Sequence, residues 1–286
     1  MLYRFPVAYL ALFALIFIVY GNTLSFTLGK LDETNIILDK LDFLRSLKNL
    51  KEVLVTNPFF NRGGDFYRPL QNLSFMIDAN LSGPSGWAYY LSNILIHFFT
   101  CSLIYYLVTL FGKDRKTALL LTMIFAVHPL FVQTVAWAPS RGDLLLAMFG
   151  VASFICFVRY IRENKKLFLA LCILGFGLAL MSKETAVMIP VICLLYYLFV
   201  EKEKSVGLTG LIIPAVSCVA LFVLFMVVRN EVVRTVVEKN QFGLIPFLIH
   251  LRTIPDFIAK FFFPVDLGPM PAFSAFLSVT GTLILA

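Results

Sequence analysis

Two carboxylates stand side by side at Asp32-Glu33, just beyond a strongly apolar opening stretch, and cations follow at Arg68, Arg141 and Lys183. Adjacent carboxylates at a membrane surface can supply a general base for an acceptor hydroxyl, while arginine and lysine neutralise a phosphate leaving group. Arginine grips phosphate oxygens with a planar fork of N–H groups; lysine acts as a point charge. His128, Gln133, Asp143 and Glu184 complete the polar set. A lipid phosphate suits these residues, because its tail stays in the bilayer while its head reaches them. Charges at helix ends also snorkel or pair, and for any one of these residues alone anchoring is the stronger explanation. Four separate stretches supplying both signs at one membrane depth favour a site, since ionisable groups near hydrocarbon are costly.

The elements that must position these residues are membrane helices. Of 286 residues, 59% are hydrophobic and 14% charged, with 30 Phe and a mean hydropathy of +0.86. A soluble domain carries nearer a quarter of charged residues. The composition predicts an all-α polytopic membrane protein. The net charge of +7 does not indicate a nucleic-acid partner, because the basic residues sit in short loops between apolar runs. Cys101, Cys156, Cys172, Cys193 and Cys218 all fall inside apolar runs, which leaves neither a disulfide framework nor a zinc spacing.

Seven stretches reach or approach the roughly 20 residues of a spanning helix, near 5–26, 86–111, 117–138, 143–161, 167–181, 185–200 and 206–228. The first resembles a signal peptide, but it is long enough to span and lacks a clear cleavage site near Gly21, so it is expected to remain as a span. A single helix over 167–200 would be far too long for a core of ~30 Å. Ser182-Lys183-Glu184 therefore reads as a tight hairpin at the membrane surface.

Lys113, Arg115, Lys116, Arg159, Arg162, Lys165, Lys166, Lys202 and Lys204 gather on one side, against Arg141, Lys183, Arg229, Arg234 and Lys239 on the other. Lysine- and arginine-rich short loops face the cytoplasm. This predicts a multi-pass protein with a cytoplasmic N-terminus. The loop 22–85, the turn 139–142, the hairpin at 182–184 and the loop 229–243 then face outward, from a bacterial inner membrane, or into the lumen of the endoplasmic reticulum.

In the outer loop, Ile37, Leu41, Leu44, Leu47 or Leu50, and Val53-Leu54 recur at helical spacing, which predicts a helix lying in the interface plane. Asn61 to Asp65 reads as a turn, and residues 71–85 as a further short helix. Residues 244–264 carry His250, Arg252, Asp256 and Lys260, and suit a re-entrant or interfacial segment as well as a span. Residues 272–286 are apolar and stop without a polar flank, as though a C-terminal part were missing.

Asp32-Glu33 soon after a first span resembles the acidic pair of GT-C-type glycosyltransferases. Tyr67-Arg68-Pro69-Leu70, His128-Pro129-Leu130-Phe131-Val132-Gln133-Thr134-Val135, Ser140-Arg141-Gly142-Asp143-Leu144-Leu145 and Ser182-Lys183-Glu184-Thr185 resemble, in order, the transmembrane part of tetratricopeptide-repeat protein O-mannosyltransferases and their bacterial relatives. The resemblance covers roughly residues 1–200. The family pattern usually has His where this chain has Phe131 and Glu where it has Gln133, and the repeats themselves are absent from these residues.

The resemblance implies a single GT-C-like helical domain with a long outer first loop carrying interfacial helices. It implies transfer of a hexose, mannose in particular, from a polyprenyl phosphate to a protein or glycan hydroxyl, with inversion. Asp32 would deprotonate the acceptor hydroxyl, and Glu33 would orient it or the acceptor. Arg68, Arg141 and Lys183 would hold the departing phosphate, with His128, Gln133, Asp143 and Glu184 in support. No metal cluster beyond the carboxylates is evident, although some GT-C enzymes use a divalent metal ion. The alternative is a transporter or flippase of a lipid-linked sugar, which would place charges or broken helices near the midplane and often shows internal repeats. Here the span interiors are nearly free of charge.

Overall fold

The computed structural model describes residues 5–29, 31–59, 66–233, 251, 253–265, 267 and 275–285, and every regular element among them is helical. The helices are α1 (Phe5–Tyr20), α2 (Asp32–Ile36), α3 (Leu41–Arg45), α4 (Leu50–Leu54), α5 (Pro69–Ser82), α6 (Trp87–Leu110), α7 (Arg115–Ala126), α8 (Val132–Ala136), α9 (Arg141–Glu163), α10 (Lys166–Leu180), α11 (Met188–Leu195), α12 (Ile212–Val232), α13 (Thr253–Phe262) and α14 (Ala275–Leu285). The turn expected at Asn61 to Asp65 and most of the 229–243 loop lie outside the described residues.

All seven predicted apolar stretches are helical, as their composition requires. Among the described residues, four segments are long and apolar enough to cross a membrane by themselves: Pro6–Ser25, Trp87–Leu110, Ala138–Glu163 and Leu208–Val232. The third predicted stretch is broken after α7, because Pro129 has no N–H to donate and biases His128 to extended backbone, φ −64°, ψ 127°. At 1.5 Å per residue α10 rises only about 22 Å. It and Glu184–Val200 are short apolar helices flanking the polar break at Ser182-Lys183.

The chain forms two compact units. The first contains Met1–Ala126 and Thr134–Arg234. Its helix ends are written locally. Asp114 accepts from the backbone N–H groups of Lys116 and Thr117 and so caps α7. The Thr117 hydroxyl and backbone hold the Asp114 carboxyl below its ordinary value. Pro69 occupies the first turn of α5, where its missing N–H is no loss. Asn164 closes α9 in the left-handed region at φ 51°. α9 and α10 pack as an antiparallel pair, and at Gly175 a Cβ would lie 3.0 Å from Ser153 Cβ. The backbones approach there because one residue has no side chain, and Ser153 Oγ donates to the Cys172 carbonyl at 2.8 Å.

The outer loop keeps only part of its predicted buried face and is not a single helix; Leu50 is exposed, like Leu47. Ile37, Leu44 and Val53 are fully buried and pack with Phe75, Met76 and Ala79 of α5 and with Tyr89 of α6. Leu47 is 71% exposed. The backbone leaves the helix at Ser46, φ −91°, ψ 108°, so 38–54 becomes a chain of single turns moulded over α5. The short helix expected within 71–85 is α5 itself.

The second unit contains Val127–Gln133 and Thr235–Ala286. Within it α13 packs on α14, burying Asp256, Ala259 and Lys260 while Phe257, Phe261 and Phe262 are exposed. Ser278 of α14 donates to Asp256. α13 rises about 15 Å over its ten residues, and residues 244–250 and 252 of the predicted 244–264 stretch lie outside the described residues.

Candidate functional site

Asp32 and Glu33 open α2, immediately after Leu31, whose φ of 55° and ψ of −126° are rare for an L residue. Such conformations persist only where the surroundings impose them. The two carboxylates then diverge. Asp32 is half-buried, whereas Glu33 is 1% exposed. Glu33 Oε2 accepts from the Gly29 N–H at 3.2 Å and Oε1 from the Tyr90 hydroxyl at 3.0 Å. Tyr90 reaches it from the first turn of α6.

Glu33 lines a cavity of about 380 Å³ together with Ser25, Phe26, Thr27, Tyr90, Ala136 and Trp137. Phe26 and Tyr90 meet edge to face with ring centres 5.8 Å apart. The Trp137 indole Nε1 is buried without a hydrogen-bond partner. Aromatic walls, hydroxyls and a fixed carboxylate make a space suited to hydroxyl-bearing groups rather than to an alkyl chain.

α2 packs against the turn Ala138–Ser140, and the residues that follow that turn carry the second half of the site. Around Gly142 three stretches converge. A Cβ there would lie 2.7 Å from Gln71 Oε1, 3.1 Å from the Ser182 carbonyl oxygen and 3.5 Å from Arg68 Cδ. Only glycine allows this approach. Leu70 N–H donates to the Met181 carbonyl at 3.1 Å, and Gln71 Nε2 donates to the Pro139 carbonyl at 3.2 Å, fastening the start of α5 to both neighbouring turns.

Arg68 precedes α5, lies 4.4 Å over the Phe66 ring and approaches Glu184 Oε2 at 3.8 Å. Its Nε is buried without a hydrogen bond. Glu184 Oε1 accepts from the Tyr67 N–H at 3.0 Å and lies 3.9 Å from Arg229 Nε. Burial also pushes the Tyr67 phenol up, and it donates to the Leu54 carbonyl at 2.9 Å. Lys183 Nζ contacts Asp143 Oδ1 at 2.5 Å with both side chains partly exposed. Arg68, Asp143, Lys183 and Glu184 therefore sit in one polar neighbourhood about Gly142.

Arg141 has a different environment. Its side chain is wholly enclosed, with Nε donating to Asn93 Oδ1 at 2.8 Å, Nη2 to the Tyr89 carbonyl at 2.6 Å, and Nη1 to Ser74 Oγ at 3.1 Å and to Asp78. Of the three cations expected around a phosphate, the structure encloses Arg141 and leaves Arg68 and Lys183 partly open.

His128 and Gln133 belong to the second unit. His128 Nδ1 accepts from the Leu130 N–H at 3.2 Å, so Nε2 carries the proton donated to the Phe261 carbonyl at 2.8 Å, and the ring stacks on Phe261. Gln133 is exposed. Among the described residues, no group of three or more His, Cys, Asp or Glu side chains is placed to hold a metal ion.

Tyr90, Trp137, Gln71 and Asp78 were not singled out from the sequence. Tyr90 and Trp137 lie within or beside apolar runs and look like ordinary interface aromatics; only Asp78, a lone carboxylate in a mostly apolar helix, carried a local signal.

A family model described as dolichyl-phosphate-mannose-protein mannosyltransferase matches residues 69–229. Among curated relatives, protein O-mannosyl-transferase TMTC3 of Homo sapiens is 28% identical over 186 residues, 62% of this chain and 20% of that protein. TMTC1 of Mus musculus is 27% identical over 173 residues, 54% of this chain and 18% of its own. TMTC4 of Homo sapiens reaches 35% over 116 residues, 35% of this chain and 15% of its own. The chain thus spans about a fifth of the length of the curated relatives it matches. No solved structure matches. These matches agree with the resemblance carried by the motifs.

Proposed function

Because the chain belongs to the dolichyl-phosphate-mannose-protein mannosyltransferase family, we propose that it transfers mannose from a polyprenyl-phosphate donor to a hydroxyl of a protein acceptor, with inversion, on the extracytoplasmic face of a membrane. Asp32 removes the acceptor proton, and the resulting oxygen attacks the anomeric carbon as the bond from that carbon to the phosphate oxygen breaks. Arg68 and Lys183 stabilise the negative charge that develops on the departing polyprenyl phosphate. Glu33, held by Tyr90 and Gly29, orients the acceptor hydroxyl within the aromatic cavity. Glu184 and Asp143 hold the two cations until donor phosphate displaces them.

The observation that carries this reading is the convergence at Gly142. There Arg68 and the Ser182-Lys183 segment meet beside the turn Ala138–Ser140, against which the acidic helix α2 is packed. The lysine and arginine asymmetry of the loops supports the extracytoplasmic placement and a cytoplasmic N-terminus. The test is release of labelled mannose from polyprenyl-phosphate-mannose onto an acceptor by the purified protein. Asp32→Asn keeps the shape and removes the base, so transfer falls by ~10²–10⁴-fold with the melting temperature unchanged. Parental turnover in that variant overturns the assignment of Asp32.

A further inference from the structure

We propose that Arg141 and Asp78 form a positioning pair that holds the phosphate-binding cations in register and does not touch the donor. The inference rests on the function proposed above, because the effect it describes is on donor binding.

Arg141 is the first residue of α9 and the largest fully buried side chain of the described residues. Its guanidinium reaches two other helices. Ser74 and Asp78 come from α5, Tyr89 and Asn93 from α6, and the Phe75 ring lies beneath at 4.6 Å. Asp78 Oδ2 accepts from Arg141 and Oδ1 from the Ser92 hydroxyl at 2.6 Å, so both carboxylate oxygens are occupied as well. Four of the five guanidinium N–H groups donate to protein and the side chain is 0% exposed, so no open edge faces a phosphate. A single crossing point of α5, α6 and α9 is therefore locked by one ion pair and its hydrogen bonds.

Two of the three helices that meet there, α5 and α9, each carry a proposed phosphate-binding element close by. α5 starts at Pro69, directly after Arg68, and its first turn is fastened to Met181 and Pro139. Asp143, two residues beyond Arg141 on α9, holds Lys183. Gly142 lies between Arg141 and Asp143, where an added Cβ would meet both Gln71 and Ser182. Small shifts at the ion pair are thus carried to Arg68 through α5 and to Lys183 through the first turn of α9. Asp78 itself contacts Arg141 and Ser92 and is 1% exposed, so no direct contact with donor explains an effect of its loss.

Three variants test the pair: Asp78→Asn, Arg141→Gln and the double variant, each assayed well below its own melting temperature. Removing one partner leaves a buried charge without its counter-ion, while removing both leaves neutral groups that still hydrogen-bond. Each single variant raises donor KM about tenfold, with acceptor KM unchanged, and the double variant returns to within about threefold of the parent. A role confined to stability lowers the melting temperature while the folded protein keeps parental KM values, and that result overturns the proposal. A double variant no better than Arg141→Gln overturns it too, because Arg141 would then act on the substrate itself. Should the parent transfer no mannose, the functional reading fails separately. Amide exchange at Leu70 then decides: faster exchange in Asp78→Asn with recovery in the double variant supports the pair, and unchanged exchange refutes it.

Discussion

Replacing Gly142 with alanine probes the convergence of the site most directly. The new methyl would sit 2.7 Å from Gln71 Oε1, 3.1 Å from the Ser182 carbonyl oxygen and 3.5 Å from Arg68 Cδ. To reach an ordinary contact of about 3.4 Å, Gln71 must withdraw by about 0.7 Å and the Ser182 carbonyl by about 0.3 Å. Gln71 is 1% exposed and its Nε2 is bonded to the Pro139 carbonyl, so it has little room to retreat. Overpacking of this kind costs ~1–3 kcal/mol, offset by up to ~1 kcal/mol because alanine favours the helical backbone of α9 over glycine. The net loss of stability is therefore about 0–3 kcal/mol. Function should suffer more, because Arg68 and the peptide leading to Lys183 are the atoms displaced. Misplacement of a binding group by up to 1 Å can cost ~10²-fold, so kcat/KM for donor falls about 10–100-fold. The assay is mannose transfer against donor concentration with a melting curve on the same sample. Parental kcat/KM together with a parental melting temperature would show that the three stretches do not meet at Gly142.

Tyr90→Phe removes the hydrogen bond that the Tyr90 hydroxyl donates to Glu33, a charge-assisted contact of ~1.5–3 kcal/mol; turnover should drop roughly 10–100-fold, and an unchanged rate would remove Glu33 from the mechanism. Glu201→Gln addresses the opposite end of α9. Burial opposes ionisation of Glu201, but the Tyr196 hydroxyl, Arg162 and the Glu203 N–H outweigh it and hold the carboxyl below its ordinary value. A depressed folded value means stability present above the unfolded value near ~4.3 and lost as pH falls through the folded one. The parent's melting temperature should therefore decline more steeply with acid than that of Glu201→Gln; parallel curves would contradict the pairing. Finally, Lys48→Cys places a thiol at an exposed position of the outer loop, where an impermeant maleimide should label it in intact cells. Labelling only after lysis would invert the proposed orientation.

Composition and hydropathy by themselves determined that this chain is helical and membrane-spanning, and roughly where each apolar helix lies. The reason is physical: a bilayer demands about 20 residues with internally satisfied backbone, and that demand is local in sequence. The buried face of the outer loop was legible in part: Ile37 and Leu44, seven residues apart, share a helical face and are both buried, whereas Leu47 and Leu50 are exposed. Where the backbone leaves the helix at Ser46 was not, because periodicity records which side chains face inward and not the torsion angles between them.

The candidate site divides along the same line. Asp32-Glu33, Arg68, Asp143, Lys183 and Glu184 were visible as ionisable residues at the ends of apolar runs. Their unlike environments were not. Asp32 and Glu33 are neighbours of the same chemistry, yet Tyr90 from another helix buries one and leaves the other half-open. Arg141 has the sequence context of a phosphate ligand, and only the crossing of α5, α6 and α9 encloses it against Asp78. Hydropathy sums over neighbours in the chain, whereas the partner of a buried charge is set by which helices pack together, and that is decided by tertiary structure alone.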